Sequence, residues 1–262
     1  MSTLTGGFQP GIVLFGVGAL HHLPFRSQRQ RLLRQALDVG FRHFDVAPAY
    51  GNGLNEVDLG TELIGYSSLC QVTTKFGIPV GLYGADYPRL FFAIRGVRKL
   101  CSKDHRDAYK RRIFSGEEMV RSLEGSLRRL KRDYVDDFLI HEPLGVLADA
   151  ERQELHHRAQ RLKDEGKIVR WGVAGPFPSL IPFEADPAID VLQFPLRDRA
   201  NVSGRPSQRR IAYGVYRAYV ECGHSRGTTF TSFVNDTRAH YGADLIVATT
   251  SPVTLATYRE LF

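Results

Sequence analysis

The chain has 262 residues, of which 43% are hydrophobic and 24% are charged, and its net charge is +7. This length suits one α/β barrel or two small domains. The composition excludes a membrane-spanning protein, because no stretch approaches the roughly 18 uncharged apolar residues of a transmembrane helix. The first residues, MSTLTGGFQPG, lack the basic and apolar regions of a secretory signal, so we expect a cytoplasmic location.

Apolar runs alternate along the chain with runs of helical period. Eight of the apolar runs are predicted strands, at residues 12–18, 41–46, 70–75, 134–141, 168–174, 189–194, 210–215 and 244–249. Predicted helices lie at 27–39, 115–132, 147–165 and 226–241, with a last one from Pro252. Alternating strands and helices imply a parallel sheet with right-handed crossovers. Eight such units predict a closed (β/α)8 TIM barrel, in a single domain over 1–262.

Capping residues predict where three of these helices begin. Ser27 is the expected N-cap of the first helix, and Ser251 that of the last. Ser115, with Glu118 three residues later, has the pattern of a capping box.

Three connections depart from the regular pattern. Residues 176–188 and 196–209 are thin crossovers with room for a short helix or none. The gap between Lys75 and His141 is 66 residues, and its excess is the segment 77–113, an enlarged loop after strand 3. Because this segment leaves the barrel at the end of a strand, we expect it to lie over the active site as a lid. A peripheral basic helix is the alternative.

The same segment carries most of the net charge. Residues 77–113 contain nine Arg or Lys and three Asp, a net charge of +6. Such a field attracts anions, so an anionic substrate is one interpretation, and a solvated basic loop is the other. The charge outside this segment is balanced and no nucleic-acid-binding motif occurs, so we expect no nucleic-acid partner.

The cysteines and histidines form no metal-binding pattern. Cys70, Cys101 and Cys222 are widely spaced and include no CxxC pair. His21–His22 and His156–His157 are adjacent pairs, whose side chains point to different faces of a helix or strand. We therefore expect no metal site.

Four polar residues stand where predicted strands end. In a barrel of this type, chemistry takes place at the C-terminal ends of the strands. Asp45, Lys75 and His141 close or adjoin three consecutive strands, and Tyr50 follows the second of them. Each has a structural alternative, such as a turn cap or a strand end, but together they would converge on one cleft.

This group of side chains is suited to giving a proton to a carbonyl oxygen. An unperturbed tyrosine has a pKa of about 10, and a nearby ammonium such as Lys75 would favour the phenolate form of Tyr50. Asp45 would hold Lys75 in place, and His141 would donate a hydrogen bond to the carbonyl oxygen. The group includes no activated nucleophile and no metal ligands, so we expect a hydride from a bound cofactor to attack the carbon.

Several stretches resemble the motifs of one enzyme family. The stretch GFRHFDVAPAYGNGLNEVDLG resembles the signature of the aldo-keto reductase family. The family's later motifs are similar to VTTKFG, SLEGSLRRLKRDYVDDFLIHEP, LKDEGKIVRWGVAG, DVLQF, IAYGVY and VATTSPVTL, in this order. The resemblance covers nearly the whole chain. It implies the (β/α)8 barrel and the reduction of an aldehyde or ketone by NADPH, or the reverse oxidation of a sugar or alcohol.

The resemblance also implies a role for each residue. Tyr50 would be the general acid, Lys75 with Asp45 would make it more acidic, and His141 would orient the carbonyl. Gln193 would bind the nicotinamide amide. The cofactor-binding residues implied in this way are Gly18, Asp45, Gln193, Tyr213, Gly214, Val215, Thr249, Thr250 and Ser251.

Two departures from the family pattern concern the cofactor. Ala174-Gly175 stands where the family commonly has Ser-Asn, two side chains that hold the carboxamide. The positions of Ala248 and Thr254 lack the Lys and Arg that commonly hold the 2'-phosphate. NADPH is the cofactor that the resemblance implies, and the missing Lys and Arg make NADH the alternative.

Two other functions remain open from the sequence. Some members of the family bind NADPH and act mainly as regulatory partners of other proteins with little turnover. A phosphate-binding barrel lyase would instead use Lys75 in a Schiff base. The leading prediction is a reductase for a small-molecule carbonyl or sugar substrate, acting as a monomer or weak oligomer.

Overall fold

Eight parallel strands close into a barrel. The structure is a computed structural model and describes residues 11–80, 84–85, 92, 112–143, 145, 147–222 and 227–262. The strands are β1 (Val13–Gly16), β2 (His43–Asp45), β3 (Gln71–Phe76), β4 (Val135–His141), β5 (Ile168–Ala174), β6 (Val191–Pro195), β7 (Arg209–Tyr213) and β8 (Asp244–Val247). Each strand pairs with the next, and β8 pairs with β1 through Leu245 and Val13. The predicted TIM barrel and its eight strands are confirmed.

Helices surround the barrel in the part of the chain that the structure describes. They are α1 (Arg26–Val39), α2 (Leu54–Glu62), α3 (Gly116–Leu130), α4 (Asp149–Asp164), α5 (Phe177–Leu180), α6 (Val215–Glu221), α7 (Phe230–Tyr241) and α8 (Pro252–Thr257). Short 3-10 helices occupy Leu20–His22, Ile64–Tyr66, Ile181–Phe183, Leu196–Asp198 and Tyr258–Leu261. Within the described ranges, no helix has both the length and the apolar character needed to cross a bilayer.

The two thin crossovers are confirmed, and two helices, α2 and α6, were not among those predicted. The chain between β5 and β6 contains only the four-residue α5 and one 3-10 turn. The chain between β6 and β7 contains one 3-10 turn at Leu196–Asp198. The helix α6 begins directly after β7, where the sequence pattern predicted the end of a strand.

Two of the three predicted caps are confirmed. The Ser115 hydroxyl accepts a hydrogen bond from the Glu118 N–H at 3.2 Å, and Ser251 caps α8 in the same way. The prediction that Ser27 caps α1 is wrong, because the helix begins one residue earlier, at Arg26. Ser27 therefore lies within the first turn.

Apolar side chains fill both faces of the strands. Alternate residues of a strand point to opposite sides. Those that point outward meet the helices, and large rings such as Phe76, Phe138 and Trp171 stack there with centroids 5.4–6.0 Å apart. Those that point inward form a small apolar plug, made of Leu14, Leu139, Ala174, Val191, Ile211 and Ile246. This packing fixes the strand ends that carry the polar residues.

A buried ion cluster around Asp137 closes the N-terminal end of the barrel. The Asp137 carboxylate accepts hydrogen bonds from Thr73 Oγ1 at 2.7 Å and Arg209 Nη1 at 2.9 Å, and from Arg170 on its other oxygen. Burial of Asp137 opposes its ionisation. The hydrogen bond from His43 and the charges of Arg209 and Arg170 outweigh this effect and hold the pKa of the carboxyl well below its usual range. The open end of the barrel is therefore the C-terminal one.

The enlarged loop after β3 begins and ends at one point of the barrel. The Ile113 N–H donates to the Gly77 carbonyl at 2.9 Å, so the two ends of the segment are joined. Gly77 has a φ of +109°, and a Cβ there would lie 2.2 Å from the Phe114 ring, so this turn requires glycine. Most of 77–113 lies outside the described residues, and so does the lid prediction.

Candidate active site

A pocket of about 220 Å³ opens at the C-terminal end of the barrel. Eight predicted site residues line it, namely Gly18, Asp45, Tyr50, Lys75, His141, Gln193, Tyr213 and Gly214. The other described residues of its wall are Gly16, Ala19, Glu142, Ala174, Gly175, Ile246 and Ala248. The structure thus brings together predicted site residues that are up to 196 positions apart, from Gly18 to Gly214.

Four predicted cofactor-binding residues lie outside this pocket wall. Val215 is buried in the apolar core at the start of α6. Thr249, Thr250 and Ser251 follow Ala248, where the pocket wall ends. That these four residues bind the cofactor stays a prediction.

A buried ion pair forms the floor of the pocket. Lys75 Nζ donates to Asp45 Oδ1 at 2.7 Å and to the Val46 carbonyl at 3.1 Å. Gln193 Nε2 donates to the same Asp45 oxygen at 2.7 Å. Lys75 and Asp45 are both buried, so each charge has its counter-ion inside the protein. The ammonium is therefore fixed in position without depending on solvent.

Tyr50 lies above this pair and beside His141. Lys75 Nζ is 5.3 Å from the centroid of the Tyr50 ring. The Tyr50 and His141 rings have centroids 5.8 Å apart and are nearly perpendicular. The chain then turns through residues 51–53, all with positive φ, before α2 begins. This left-handed turn explains the two glycines that flank Asn52.

His141 is a neutral imidazole at the pocket wall. Burial lowers the pKa of His141 well below its usual value, and the positive charges of Lys75 and Arg112 lower it further. A neutral imidazole carries one N–H, which can donate to a substrate oxygen without introducing a charge.

We expect this imidazole to remain uncharged at neutral pH, because burial lowers the pKa of His141 well below its usual value. Nitrogen-15 NMR of the imidazole, assigned with a His141→Asn variant, measures the protonation state directly. A titration midpoint near the unperturbed value of about 6.5 would contradict the burial argument.

Tyr213 contributes a protonated phenol to the opposite wall. Burial raises the pKa of Tyr213, and the nearby Glu142 and Tyr50 raise it further. The ring is half-buried, and its side chain packs against the apolar plug inside the barrel. An aromatic surface in this position suits stacking by a flat ring.

Glu142 is a site residue that the sequence reasoning did not identify. It has a φ of +50°, and its N–H donates to the Ala174 carbonyl at 2.6 Å. Arg112 donates to the Glu142 carbonyl from Nε at 3.2 Å and to the carboxylate from Nη2 at 2.9 Å. Its position directly after a strand end could have marked Glu142 as a site residue. Its pairing with Arg112, 30 residues earlier, could not have been read from the sequence.

Gly175 has a packing reason to lack a side chain. A Cβ at Gly175 would lie 2.4 Å from the Ser179 hydroxyl and 3.5 Å from the Glu142 Cα. The Gly175 N–H meanwhile donates to the Gln193 carbonyl at 2.9 Å. The Ser179 hydroxyl thus occupies the space that a side chain at this position would need.

A known protein family matches the part of the chain that carries the candidate catalytic residues. The model of the aldo/keto reductase family matches residues 14–181, which include Asp45, Tyr50, Lys75 and His141. L-galactose dehydrogenase of Arabidopsis thaliana is 29% identical over 143 residues, which cover 55% of this chain and 37% of that protein. NADPH-dependent codeinone reductase 1-5 of Papaver somniferum is 27% identical over 147 residues, which cover 56% and 36%. The chain thus spans little more than a third of the length of either relative.

The fold has matches among solved structures. The glycerol dehydrogenase AKR11B4 from Gluconobacter oxydans superposes with a TM-score of 0.71, covering 95% of this chain and 86% of that one. The two sequences are 18% identical, so this likeness supports the barrel fold.

Proposed function

The chain belongs to the aldo/keto reductase family, and on this premise we propose that it reduces an aldehyde or ketone to an alcohol with NADPH, or oxidises a sugar or alcohol in the reverse direction. The observation that carries the proposal is the convergence of Asp45, Tyr50, Lys75 and His141 on one pocket. The Arabidopsis and Gluconobacter proteins are named for galactose and glycerol, so sugars and polyols belong among the candidate substrates.

The proposed proton transfer follows from the geometry of the buried pair. The Tyr50 hydroxyl gives its proton to the carbonyl oxygen as that oxygen becomes negative. The fixed ammonium of Lys75, 5.3 Å from the Tyr50 ring centroid, stabilises the phenolate that remains. The neutral His141 donates a hydrogen bond that orients the carbonyl. Solvent then returns a proton to Tyr50.

The pocket offers a nicotinamide one hydrogen-bond acceptor and an aromatic surface. Tyr213 offers a ring for stacking, and the carbonyl oxygen of Gln193 would accept from the carboxamide while its nitrogen stays bonded to Asp45. Ala174-Gly175 leaves the pocket wall between β5 and β6 without large side chains. When bound, NADPH supplies a hydride to the carbonyl carbon. We propose NADPH as the cofactor because the codeinone reductase relative is named for it.

Three expectations from the sequence stay predictions. They are the cytoplasmic location, a monomer or weak oligomer, and an anionic substrate attracted by the basic segment 77–113. The regulatory alternative, which needs NADPH binding but no proton donor, gains no support from the described residues.

Turnover assays with a Lys75→Met variant test the proposal. The assay follows the loss of reduced-nicotinamide absorbance with a panel of aldehydes, ketones and aldoses. We expect the wild type to turn over, and Lys75→Met to lower kcat by about 100-fold or more, because the Tyr50 phenolate loses its cation. NADPH affinity should change far less.

The matched control is Lys163→Met, which removes a partly exposed lysine paired with Asp190 on the outside of the barrel. It should retain kcat within about twofold. If the wild type binds NADPH but turns over no faster than Lys75→Met with any substrate, the regulatory alternative replaces the proposal.

A further inference from the structure

Glu142 adds a third charged side chain to the pocket wall, besides the Asp45–Lys75 pair. Among the described residues that line the pocket, the charged ones are Asp45, Lys75 and Glu142. Asp45 and Lys75 neutralise each other at 2.7 Å. The proton transfer described above does not use Glu142. Its carboxylate therefore needs a separate explanation.

The backbone of Glu142 is held in an unfavourable conformation by specific contacts. A left-handed φ of +50° is uncommon for a residue other than glycine and persists only where the surroundings impose it. Here the imposing contacts are the hydrogen bond to Ala174 and the two donated by Arg112. The carboxylate is thus placed at the pocket wall by these hydrogen bonds rather than by chance.

The carboxylate is the half of the ion pair that faces open space. The Glu142 side chain is 42% exposed, whereas the Arg112 side chain is 10% exposed. Glu142 also lines a second pocket next to the first, which shares Tyr213 and Gly214 with it. In the first pocket, a ligand would therefore meet the exposed Glu142 side chain before the buried Arg112 side chain, whereas Arg197 and Arg217 also line the second pocket.

The electrostatic effects on two neighbouring residues agree with this orientation. After burial, Glu142 is the largest cause that raises the pKa of Tyr213. Burial and the charge of Lys75 have the largest effects on the pKa of His141, and the charge of Arg112 lowers this pKa further. The negative end of the pair thus acts on the Tyr213 side of the pocket.

We propose that Glu142 determines substrate specificity, accepting hydrogen bonds from the hydroxyl groups of a neutral polyhydroxylated carbonyl compound and disfavouring substrates that carry a carboxylate. Carboxylate oxygens are strong acceptors for hydroxyl donors and repel a second carboxylate. A cationic substrate gains less, because Arg112 already balances the charge. This inference rests on the proposed reductase function and opposes the anionic substrate expected from the basic segment.

Two pairs of aldehydes of equal chain length test the proposal with NADPH as the reductant. D-glyceraldehyde against propanal measures the benefit of hydroxyl groups, and succinic semialdehyde against butanal measures the cost of a carboxylate. We expect wild type to prefer glyceraldehyde in the first pair and butanal in the second, as ratios of kcat/KM. In Glu142→Gln, which keeps the side-chain size, each ratio should shift toward unity by about fivefold to tenfold.

A matched control makes the same charge change at the opposite end of the barrel. Glu165→Gln alters an exposed residue beside β5, at its N-terminal end, and should leave both ratios within about twofold of wild type. Glu142→Asp keeps the charge, so it should retain a preference for butanal over succinic semialdehyde even if Glu142→Gln folds poorly.

The outcomes separate the two proposals. If the wild type reduces these aldehydes but favours succinic semialdehyde over butanal, or if Glu142→Gln leaves both ratios unchanged, the role of Glu142 is overturned and the reductase function stands. If the wild type reduces no aldehyde or ketone at all, the reductase function itself is overturned, and the role of Glu142 with it.

Discussion

Replacing Tyr50 with phenylalanine should nearly abolish carbonyl reduction while leaving NADPH affinity almost unchanged. The variant keeps the aromatic ring that packs against Gly18, where a Cβ would be only 3.5 Å from the ring, and keeps the edge contact with His141. It removes the hydroxyl group, and with it the proton that the proposed mechanism transfers. Because a positioned acid contributes about 10²–10⁴-fold to such a step, kcat should fall by that factor.

The measurements are single-turnover reduction rates and cofactor titration by protein fluorescence. Tyr66→Phe is a matched control, since it removes a phenol from the 3-10 turn after α2, far from the pocket. A Tyr50→Phe enzyme with more than about a tenth of wild-type kcat would show that the proton comes from another group.

Replacing Asp137 with asparagine should cost about 3–5 kcal/mol of unfolding free energy, because it leaves two arginines beside a buried neutral amide. The carboxylate currently binds Thr73, Arg170 and Arg209 inside the barrel. Urea unfolding monitored by the fluorescence of Trp171 measures the loss. The same exchange at the exposed Asp149, which pairs with Arg152 on α4, should cost less than about 1 kcal/mol.

The contribution of Asp137 should also depend on pH in a defined direction. Its pKa in the folded state lies below the unfolded value of about 3.9, so ionised Asp137 stabilises the fold at all higher pH. As the pH falls below about 4, that contribution is lost, and the difference between wild type and Asp137→Asn should narrow. A difference that stays constant down to the acid transition would argue that the effect is one of packing rather than charge.

The barrel could be predicted from the sequence because its signals are local. Each strand is a short apolar run, and most long crossovers have a helical period or a capping residue such as Ser115, although the helix α2 between β2 and β3 was missed. The errors have local causes too. Ser27 is a good N-cap residue, but α1 starts one residue before it. The helix α6 starts within a run, IAYGV, whose β-branched and aromatic residues are typical of a strand.

The residues proposed as catalytic stand at strand ends that the sequence predicts, but their non-local partners could not be predicted. Strand ends placed Asp45, Lys75 and His141 at one face of the barrel. No periodicity links Gln193 to Asp45 across 148 positions, or Arg112 to Glu142 across 30. Asp137 is the clearest case. An aspartate inside a buried strand is stable only when basic residues of neighbouring strands pair with it, and the sequence does not show that Arg170 and Arg209 do so.

The hydrogen bond between Gly77 and Ile113 joins the two ends of the long segment 77–113, so the segment could be exchanged for another without moving β3 or α3. Since its two ends already meet, the barrel closes in the same way whatever number of residues lies between them. The entropy of such a loop grows only with the logarithm of its length, by about 0.6 kcal/mol for each doubling. Arg112, the last residue before the closing bond, reaches Glu142 in the pocket wall. Natural variation or engineering could therefore exchange this segment at little cost to the stability of the fold. Because Arg112 belongs to it, the exchange would also change the surroundings of Glu142 and so the choice of substrate.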